Sequence, residues 1–367
     1  MRILHIFTDQ NYVYTKALIS MFYNSDVNID FDYLICADKT KIPHDILEID
    51  SSHSHVFALT GSKRAQVFKI NAIDGCYDYI IYHFFPNDIL LNMYYLICKE
   101  KSRRIIWRIW GADLYNWKKT KGIGKGLLNW IRGNARKNIR FIIPEPMDVA
   151  EYKKQFGDSA SILNGPDPKG YDKKFLDSTK TDKTGDAYAI VIGHSAVQSV
   201  NHFSVLDALS KFRKENIRII LPLNYGDSSY ANKVEDYSIS LFGRDKVVSI
   251  RNKLTLEEYS RILWKCDACI IHSDRQIAMG NIIMCMYMGK KVFLKKDSVM
   301  WNYYKEYLSL DISDSSSIAS TSYPEFIENR IDIIKNREYA MGEIEVPLIM
   351  QKWKETFELL QKDLEAK

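Results

Sequence analysis

The stretch IIWRIWGADLY, residues 105–115, has the pattern of a short buried strand that ends in a turn. Its first six residues are apolar except for Arg108, and Gly111 leaves the backbone free to turn. Asp113 follows at once, where ligands bind in open α/β sheets, outside the carboxyl end of a strand. The pattern predicts a functional carboxylate at residue 113, and the alternative is a carboxylate that caps the next helix.

The environment of Asp113 in the sequence suggests two opposite effects on its pKa. Desolvation by Trp107 and Trp110 would raise the pKa, whereas Arg108 would hold the carboxyl group ionised.

Strand and helix patterns alternate along both halves of the 367-residue chain. This length suits two domains, and the alternation predicts parallel sheets covered by helices. Residues 164–186 are rich in Gly, Pro, Asp and Lys, which indicates a linker. We therefore expect an α/β protein with two Rossmann-like domains, 1–165 and 187–345, whose parallel sheets face each other across a cleft.

Composition excludes several classes of protein. The net charge of +5 is too small to indicate nucleic-acid binding. The pair Cys266 and Cys269 has no second pair beside it, so we expect no metal site and reduced, cytoplasmic thiols. The apolar run at residues 1–9 is too short for a signal peptide, and no window is apolar enough to span a membrane. Any membrane contact is expected to be peripheral.

A basic segment follows the opening stretch. No acidic residue lies between Asp113 and Glu145, and eight Lys and Arg residues occupy that interval. A basic amphipathic helix with tryptophans is typical of binding to an anionic membrane surface or a diphosphate-bearing ligand. The alternative is a helix that docks on the sheet and exposes its charges. Residues with an expected membrane- or acceptor-binding role are Trp117, Lys118, Lys121, Lys125, Trp130, Arg132 and Arg136.

Three further positions have the pattern of functional residues or turns. His83 ends a predicted strand, where it could act as a general base or form a structural hydrogen bond. The turn at residues 193–195 leads from a strand into a helix, so its N–H groups and the Ser195 hydroxyl group could bind phosphate. A second such turn spans residues 273–281. There Arg275 could neutralise a diphosphate, and Gly280 permits close approach of the backbone to that diphosphate. The two turns together favour a nucleotide ligand.

The block WGADLY at residues 110–115, preceded by Trp107-Arg108-Ile109, resembles the signature of glycosyltransferase family 56. Shorter blocks extend the resemblance over both halves, and they contain His83, Gly193, Ser195, Ser199, His202, Pro222, Tyr225, Cys266, Asp267, Arg275, Gln276, Gly280 and Trp301. The chain has His194 and Ala196 where the family has Asn and Gly, and residues 277–279 replace a glycine-richer run.

The resemblance implies a GT-B fold in which residues 1–165 bind the acceptor and 187–345 bind the nucleotide sugar. It also implies a final helix, 346–367, that packs back on the N-terminal domain. The reference activity of the family is the transfer of 4-acetamido-4,6-dideoxy-D-galactose from its TDP derivative to a polyprenyl-diphosphate-linked disaccharide. Such an enzyme needs no metal and no cofactor, because the nucleotide sugar is a substrate.

We therefore expect a metal-independent glycosyltransferase that moves a deoxy-amino-sugar or fucose-like residue to a polyprenyl-diphosphate-linked oligosaccharide. It would act in surface polysaccharide biosynthesis at the cytoplasmic face of the inner membrane, with Asp113 or His83 as general base. The residues expected to bind the nucleotide sugar are Gly193, Ser195, Ser199, His202, Tyr225, Arg275, Gln276, Gly280 and Asn281. The alternatives are a GDP-fucose-dependent fucosyltransferase, a nucleotide-sugar epimerase of the same fold and a non-catalytic two-lobed binding protein.

Overall fold

The computed structural model describes residues 1–8, 12–48, 54–61, 66, 69–70, 72–118, 124–328 and 332–366. The chain divides into two compact units. Unit 1 comprises Met1–Gly170 and Glu345–Lys367, and unit 2 comprises Tyr171–Ile344. Each unit contains one parallel sheet, which confirms the predicted α/β class.

The sheet of unit 1 has seven strands in the order β3-β2-β1-β4-β5-β6-β7. They are β1 (Arg2–Phe7), β2 (Asp30–Ile35), β3 (Ser54–Ala58), β4 (Tyr79–His83), β5 (Ile105–Arg108), β6 (Phe141–Ile143) and β7 (Ser161–Ile162). Every residue of the central strands β4 and β5 is buried, as expected for parallel strands covered on both faces. The order of the strands reverses between β1 and β4, which makes this pair the switch point of the sheet.

The helices with bounds among the described residues of the N-terminal part of unit 1 number seven. They are α1 (Tyr12–Tyr23), α2 (His44–Leu47), α3 (Ile89–Ile97), α4 (Lys99–Ser102), α5 (Ala112–Tyr115), α6 (Lys125–Lys137) and α7 (Val149–Phe156). The sequence predicts that Pro86 opens α3, but Asp88 caps it instead. The carboxylate of Asp88 accepts hydrogen bonds from the N–H groups of Leu90 and Leu91.

Unit 2 repeats the architecture with a six-stranded sheet in the order β10-β9-β8-β11-β12-β13. Its strands are β8 (Tyr188–Ile192), β9 (Ile217–Pro222), β10 (Val247–Ile250), β11 (Ala268–Ile271), β12 (Lys291–Leu294) and β13 (Ser313–Asp314). Its helices are α8 (Lys173–Ser178), α9 (His202–Leu209), α10 (Ser228–Phe242), α11 (Leu256–Trp264), α12 (Met279–Tyr287), α13 (Val299–Trp301), α14 (Tyr323–Ile327) and α15 (Ile333–Ile344).

The last helix, α16 (Val346–Glu365), belongs to unit 1. Its Trp353 is fully buried and lies edge-on to Phe22, with the ring centroids 5.1 Å apart. The indole N–H of Trp353 donates to the carbonyl oxygen of Pro166 at 3.0 Å. The core of unit 1 is therefore completed by the two ends of the chain.

The predicted linker 164–186 is more ordered than its composition suggests. Asp167 and Lys169 are buried in unit 1, and residues 173–178 form α8. Within the described part of the chain, no helix is long and apolar enough to cross a membrane.

Candidate active site

A cavity of about 840 Å³ lies at the carboxyl ends of β1 and β4 in unit 1. Thr8 follows β1 and Phe84 follows β4, and the other polar lining groups include Asn87, Asp88 and Arg132. An aromatic ring beside groups of both charges suits a polar organic ligand such as a sugar. Among these residues, only Arg132 has a function predicted from the sequence.

The turn after β4 is strained. Phe84 has a left-handed backbone conformation with φ 68°, which is uncommon for a bulky residue. The Thr8 hydroxyl group holds this turn, because it lies within hydrogen-bond distance of the carbonyl oxygens of His83 (3.2 Å) and Phe84 (2.5 Å). Strained residues cluster at ligand-binding sites, which marks the cavity as a functional candidate.

The Asp113 carboxylate is fully buried and accepts three hydrogen bonds. The donors are the N–H of Phe85 (3.0 Å), the indole N–H of Trp107 (2.6 Å) and the N–H of Trp110 (3.1 Å). Burial raises the pKa of Asp113, and these donors oppose that shift. The structure corrects the helix-cap alternative, because Gly111 occupies the cap position of α5 and Asp113 joins the ends of β4 and β5. A catalytic role of Asp113 stays a prediction.

Arg108 lies beside two other carboxylates. It donates to Glu145 at 2.5 Å and to Asp167 at 3.0 Å, and Trp110 also donates to Asp167 at 2.9 Å. Against the effect of burial, Arg108 and Lys169 lower the pKa of Glu145 to about 2. Burial raises the pKa of Asp167, which Arg108 opposes. The sequence pattern does not reveal this buried cluster, since Asp167 falls in the predicted linker.

His83 is buried beside His5, with its Nε2 3.0 Å from Nδ1 of His5. Burial and the neighbouring His5 and Arg108 lower the pKa of His83 well below its ordinary value, so the imidazole is neutral. Its Nδ1 lies 3.8 Å from Oδ1 of Asp167. His83 has no exposed surface, whereas the side chain of Asp167 is 10% exposed to solvent. Asp167 is therefore the group of this pair that a ligand can reach.

Arg136 lies inside unit 1, although the sequence predicts it on the outer face of α6. Its guanidinium group stacks over the rings of Trp107 (5.3 Å) and Trp117 (5.6 Å) and donates to Asn92 (3.0 Å). Trp117 is also buried, and its indole N–H donates to Gln155 at 2.5 Å. Both residues are thus part of the interior, which corrects their predicted membrane or acceptor contact.

The other residues of the basic segment are accessible. Lys118, Lys125 and Trp130 are exposed. Arg132 is half-buried and donates from Nε to the carbonyl oxygen of Asn87 at 2.9 Å. Lys121 lies outside the described residues. A membrane or acceptor contact by these residues stays a prediction.

In unit 2 the strand order reverses between β8 and β11, and both predicted phosphate-binding turns follow these strands. The N–H of Gly193 donates to the carbonyl oxygen of Ile270 at 2.9 Å. The Asn201 side chain donates to the carbonyl oxygen of His272 at 3.0 Å. The structure therefore brings together two turns that are almost eighty residues apart in sequence.

The first turn requires a glycine at position 193. Gly193 has φ 75°, and a Cβ there would lie 2.5 Å from Val200 and 2.8 Å from Nε2 of His202. His202 is itself fully buried, with Nδ1 3.3 Å from the hydroxyl group of Tyr230. His202 therefore supports the turn from beneath, and its Nε2 has no hydrogen-bond partner among the described residues. Its predicted ligand contact stays a prediction.

The side chains of the first turn differ from the prediction. Ser195 has no exposed surface, and its hydroxyl group lies 3.2 Å from Nε2 of His194, which corrects its predicted phosphate contact. Burial and Arg275 lower the pKa of His194 to about 4. Nδ1 of His194 has no hydrogen-bond partner among the described residues. His194, which the sequence analysis gave no role, can therefore bind a ligand.

The second turn, residues 273–281, contains Arg275 and leads into helix α12. Nη2 of Arg275 donates to the Ser199 hydroxyl group at 3.2 Å. Gly280 and Asn281 lie in the first turn of α12, where N–H groups favour an anion. The Asn281 amide donates to the hydroxyl group of Tyr259 at 2.7 Å. Arg275, His194 and this helix start suit the diphosphate of a nucleotide.

The two remaining predicted donor residues are Tyr225 and Gln276. Tyr225 is exposed, with its ring 5.9 Å from that of His194, and Gln276 is half-buried. Among the residues that the structure describes, no group of three or more His, Cys, Asp or Glu could hold a metal ion. Metal independence stays a prediction.

Two Rossmann-type parallel sheets, each with its candidate site at the switch point, define a protein of the GT-B class. The chain belongs to the family of 4-alpha-L-fucosyltransferases, glycosyl transferase group 56, whose model matches residues 32–315. The protein is therefore a glycosyltransferase, and the resemblance carried by the WGADLY block is confirmed.

Solved structures with the same fold cover nearly the whole chain. Sucrose-phosphate synthase from Thermosynechococcus elongatus has a TM-score of 0.71 at 10% identity, covering 100% of both chains. A glycosyltransferase from Rickettsia africae has a TM-score of 0.67 at 12% identity, covering 98% of both chains. Anabaena HepE with UDP and glucose has a TM-score of 0.64 at 13% identity, covering 98% of this chain and 99% of its own. At these identities the likeness shows the fold alone.

Proposed function

We propose that the protein transfers a 4-acetamido-4,6-dideoxygalactose or fucose-like residue from a nucleotide diphosphate, TDP, to a polyprenyl-diphosphate-linked oligosaccharide. The observation that carries the proposal is the meeting of two anion-binding turns at the switch point of unit 2, in a chain of the group 56 family. The reaction belongs to surface polysaccharide biosynthesis, at the cytoplasmic face of the inner membrane.

The donor diphosphate binds between the two turns of unit 2. Arg275 and the N–H groups at the start of α12 stabilise the negative charge that develops on the leaving diphosphate. Nδ1 of His194 donates a hydrogen bond to the same group in the tautomer that carries its proton there. The complexes of Anabaena HepE with UDP and UDP-glucose support a nucleotide-sugar donor for this fold.

The acceptor sugar binds in the unit 1 cavity. Phe84 offers an aromatic face for the apolar side of a sugar ring, and the polar groups of Asn87 and Asp88 bind its hydroxyl groups. Arg132 provides a cation for an anionic part of the acceptor.

The proton acceptor is Asp167, supported by His83. Asp113 has every oxygen engaged by N–H donors, whereas Asp167 keeps exposed surface and lies 3.8 Å from His83. Burial raises the pKa of Asp167, which makes this carboxylate a stronger base than an exposed one.

The donor assignment is tested by ligand-induced thermal stabilisation, followed by a transfer assay. TDP-, UDP- and GDP-sugars are compared, and the TDP-sugar should raise the melting temperature most. Arg275→Ala should lose this stabilisation, while the exposed control Arg244→Ala keeps it. The stabilising sugar should then pass to a polyprenyl-diphosphate-linked disaccharide. Stabilisation by a GDP-sugar alone, or no transfer, would contradict the proposal.

The proton acceptor is tested separately with Asp167→Asn. We expect kcat to fall by about a hundredfold or more while the affinity for the nucleotide sugar is unchanged. The exposed Asp158→Asn serves as the control for carboxylate removal in unit 1. A variant that retains kcat within a few-fold of the unaltered protein would exclude Asp167.

A further inference from the structure

Helices α3 and α6 lie side by side on unit 1. Arg136 of α6 donates to Asn92 of α3 at 3.0 Å, and Arg132 donates to the carbonyl oxygen of Asn87 just before α3 at 2.9 Å. Asn138, which ends α6, is within 3.4 Å of the carbonyl oxygen of Tyr95. These bonds hold the two helices together as one surface element.

Both helices expose large apolar side chains. Leu90, Met93 and Ile97 follow one another at helical spacing on α3, and Leu127 and Trp130 do so on α6. All five side chains are between 39% and 73% exposed. Five large apolar side chains in water on two neighbouring helices indicate an interaction surface, because soluble proteins seldom leave such a patch uncovered.

The charges on the two helices themselves have one sign, whereas the carboxylates of Asp88 and Glu100 lie just before and just after α3. Helix α6 carries Lys125, Arg132, Arg136 and Lys137 with no acidic residue, and α3 carries no charged residue. Of these cations, Lys125 and Lys137 are exposed, and so is Lys118 before the helix. Apolar side chains with a tryptophan, flanked by lysines, match the interfacial layer of an anionic bilayer. A protein partner would have to be acidic and apolar at once.

We propose that the α3–α6 surface, defined by Leu90, Met93, Ile97, Leu127 and Trp130, docks on an anionic lipid bilayer. The same helices line the unit 1 cavity through Ile89 and Leu91 of α3 and Leu128 and Arg132 of α6. A docked enzyme therefore has its cavity at the membrane surface. This consequence rests on the proposed lipid-linked acceptor, whereas the docking itself does not.

The test is co-sedimentation of the full chain with phosphatidylglycerol-containing vesicles, compared with vesicles of phosphatidylcholine alone. The protein should bind the anionic vesicles, and added salt should weaken binding. Leu127→Ser with Trp130→Ser, and separately Lys125→Gln with Lys137→Gln, should each weaken binding by about tenfold or more. Leu359→Ser on α16 removes an exposed leucine elsewhere on unit 1 and should bind like the unaltered protein.

Three results would overturn the proposal. The first is binding that both double variants retain, and the second is equal weakening by Leu359→Ser. The third is a protein that does not bind vesicles but forms a dimer in solution, which the Leu127 and Trp130 changes convert to a monomer. That result would make the surface a self-association interface. Circular dichroism melts confirm that each variant is folded.

A transfer assay with a short-chain, water-soluble acceptor separates this proposal from the proposed function. Vesicle binding without transfer would remove the proposed function and leave the docking surface. Transfer to the soluble acceptor without vesicle binding would contradict the docking surface and leave the proposed function standing.

Discussion

At the scale of single residues, Asp113 connects two strand ends through hydrogen bonds to two backbone N–H groups and one indole N–H. Its carboxylate takes one N–H from the turn after β4 and two from the end of β5. A buried donor that loses its acceptor costs free energy, because water cannot replace the bond. The geometry around the switch point of unit 1 therefore depends on this side chain.

Asp113→Asn should lower the free energy of unfolding by about 2 kcal/mol, because an amide offers one acceptor oxygen where the carboxylate offers two. Urea unfolding measures this loss. The matched control is Asp158→Asn, in which the carboxylate pairs with Lys153 at the surface. Unchanged unfolding together with lost transfer would instead support the catalytic role that the sequence suggested.

Asp148 should make stability depend on pH. It is fully buried, and its Oδ1 accepts from the hydroxyl group of Tyr115 at 2.7 Å. Burial raises the pKa of Asp148 from 3.8 to about 7. Between these pH values the unfolded chain releases a proton that the folded protein keeps, so stability falls as pH rises and the loss is complete above pH 7.

Asp148→Asn removes this loss, because an amide stays neutral at every pH. Relative to the unaltered protein, the variant should gain stability from pH 4 to pH 7, up to roughly 4 kcal/mol for a shift of about three pKa units. Urea unfolding at a series of pH values measures the difference. A difference that stays flat across this range would show that Asp148 is ionised in the folded protein.

At the scale of elements, the buried strands were predictable because their apolar runs are nearly continuous. The cap of α11 was equally clear, since Thr255 and Glu258 have the spacing of a capping box in the sequence and form one in the structure. The segment 164–170 was not predictable, because Asp167 is buried against Arg108 and Trp110, which lie 59 and 57 residues away in sequence. For the same reason no pattern separates the buried Arg136 from the exposed Lys137.

The turn before α9 should tolerate no side chain at position 193. Gly193→Ala combines a positive φ with a clash against Val200 and His202, and it should abolish stabilisation by nucleotide sugar. Gly185→Ala is the matched control, because Gly185 has φ 82° and nothing within 4 Å of an added Cβ. Gly185→Ala should lose about 1 kcal/mol of stability to backbone strain and should still bind nucleotide sugar. Equal loss in both variants would assign the effect to strain alone.

At the scale of the whole molecule, the two units have separate apolar cores. One core of unit 1 includes Trp353 and Phe357 of α16 beside Phe22 of α1 and Phe31 of β2. One core of unit 2 is made from residues within 188–327. A substitution that disrupts the packing of α16 should therefore destabilise unit 1 alone, although α16 follows unit 2 in sequence.

Trp353→Ala should destabilise unit 1 by about 3–5 kcal/mol, because it removes a fully buried indole and its hydrogen bond to Pro166. Hydrogen exchange followed by mass spectrometry locates the effect: peptides from β1 and β4 should lose protection, and peptides from β8 and β11 should keep it. Leu359→Ala, at a residue 52% exposed on the same helix, should leave both sets unchanged. Equal loss of protection in both units would mean that they unfold as one, and the assignment of α16 to a separate core would fail.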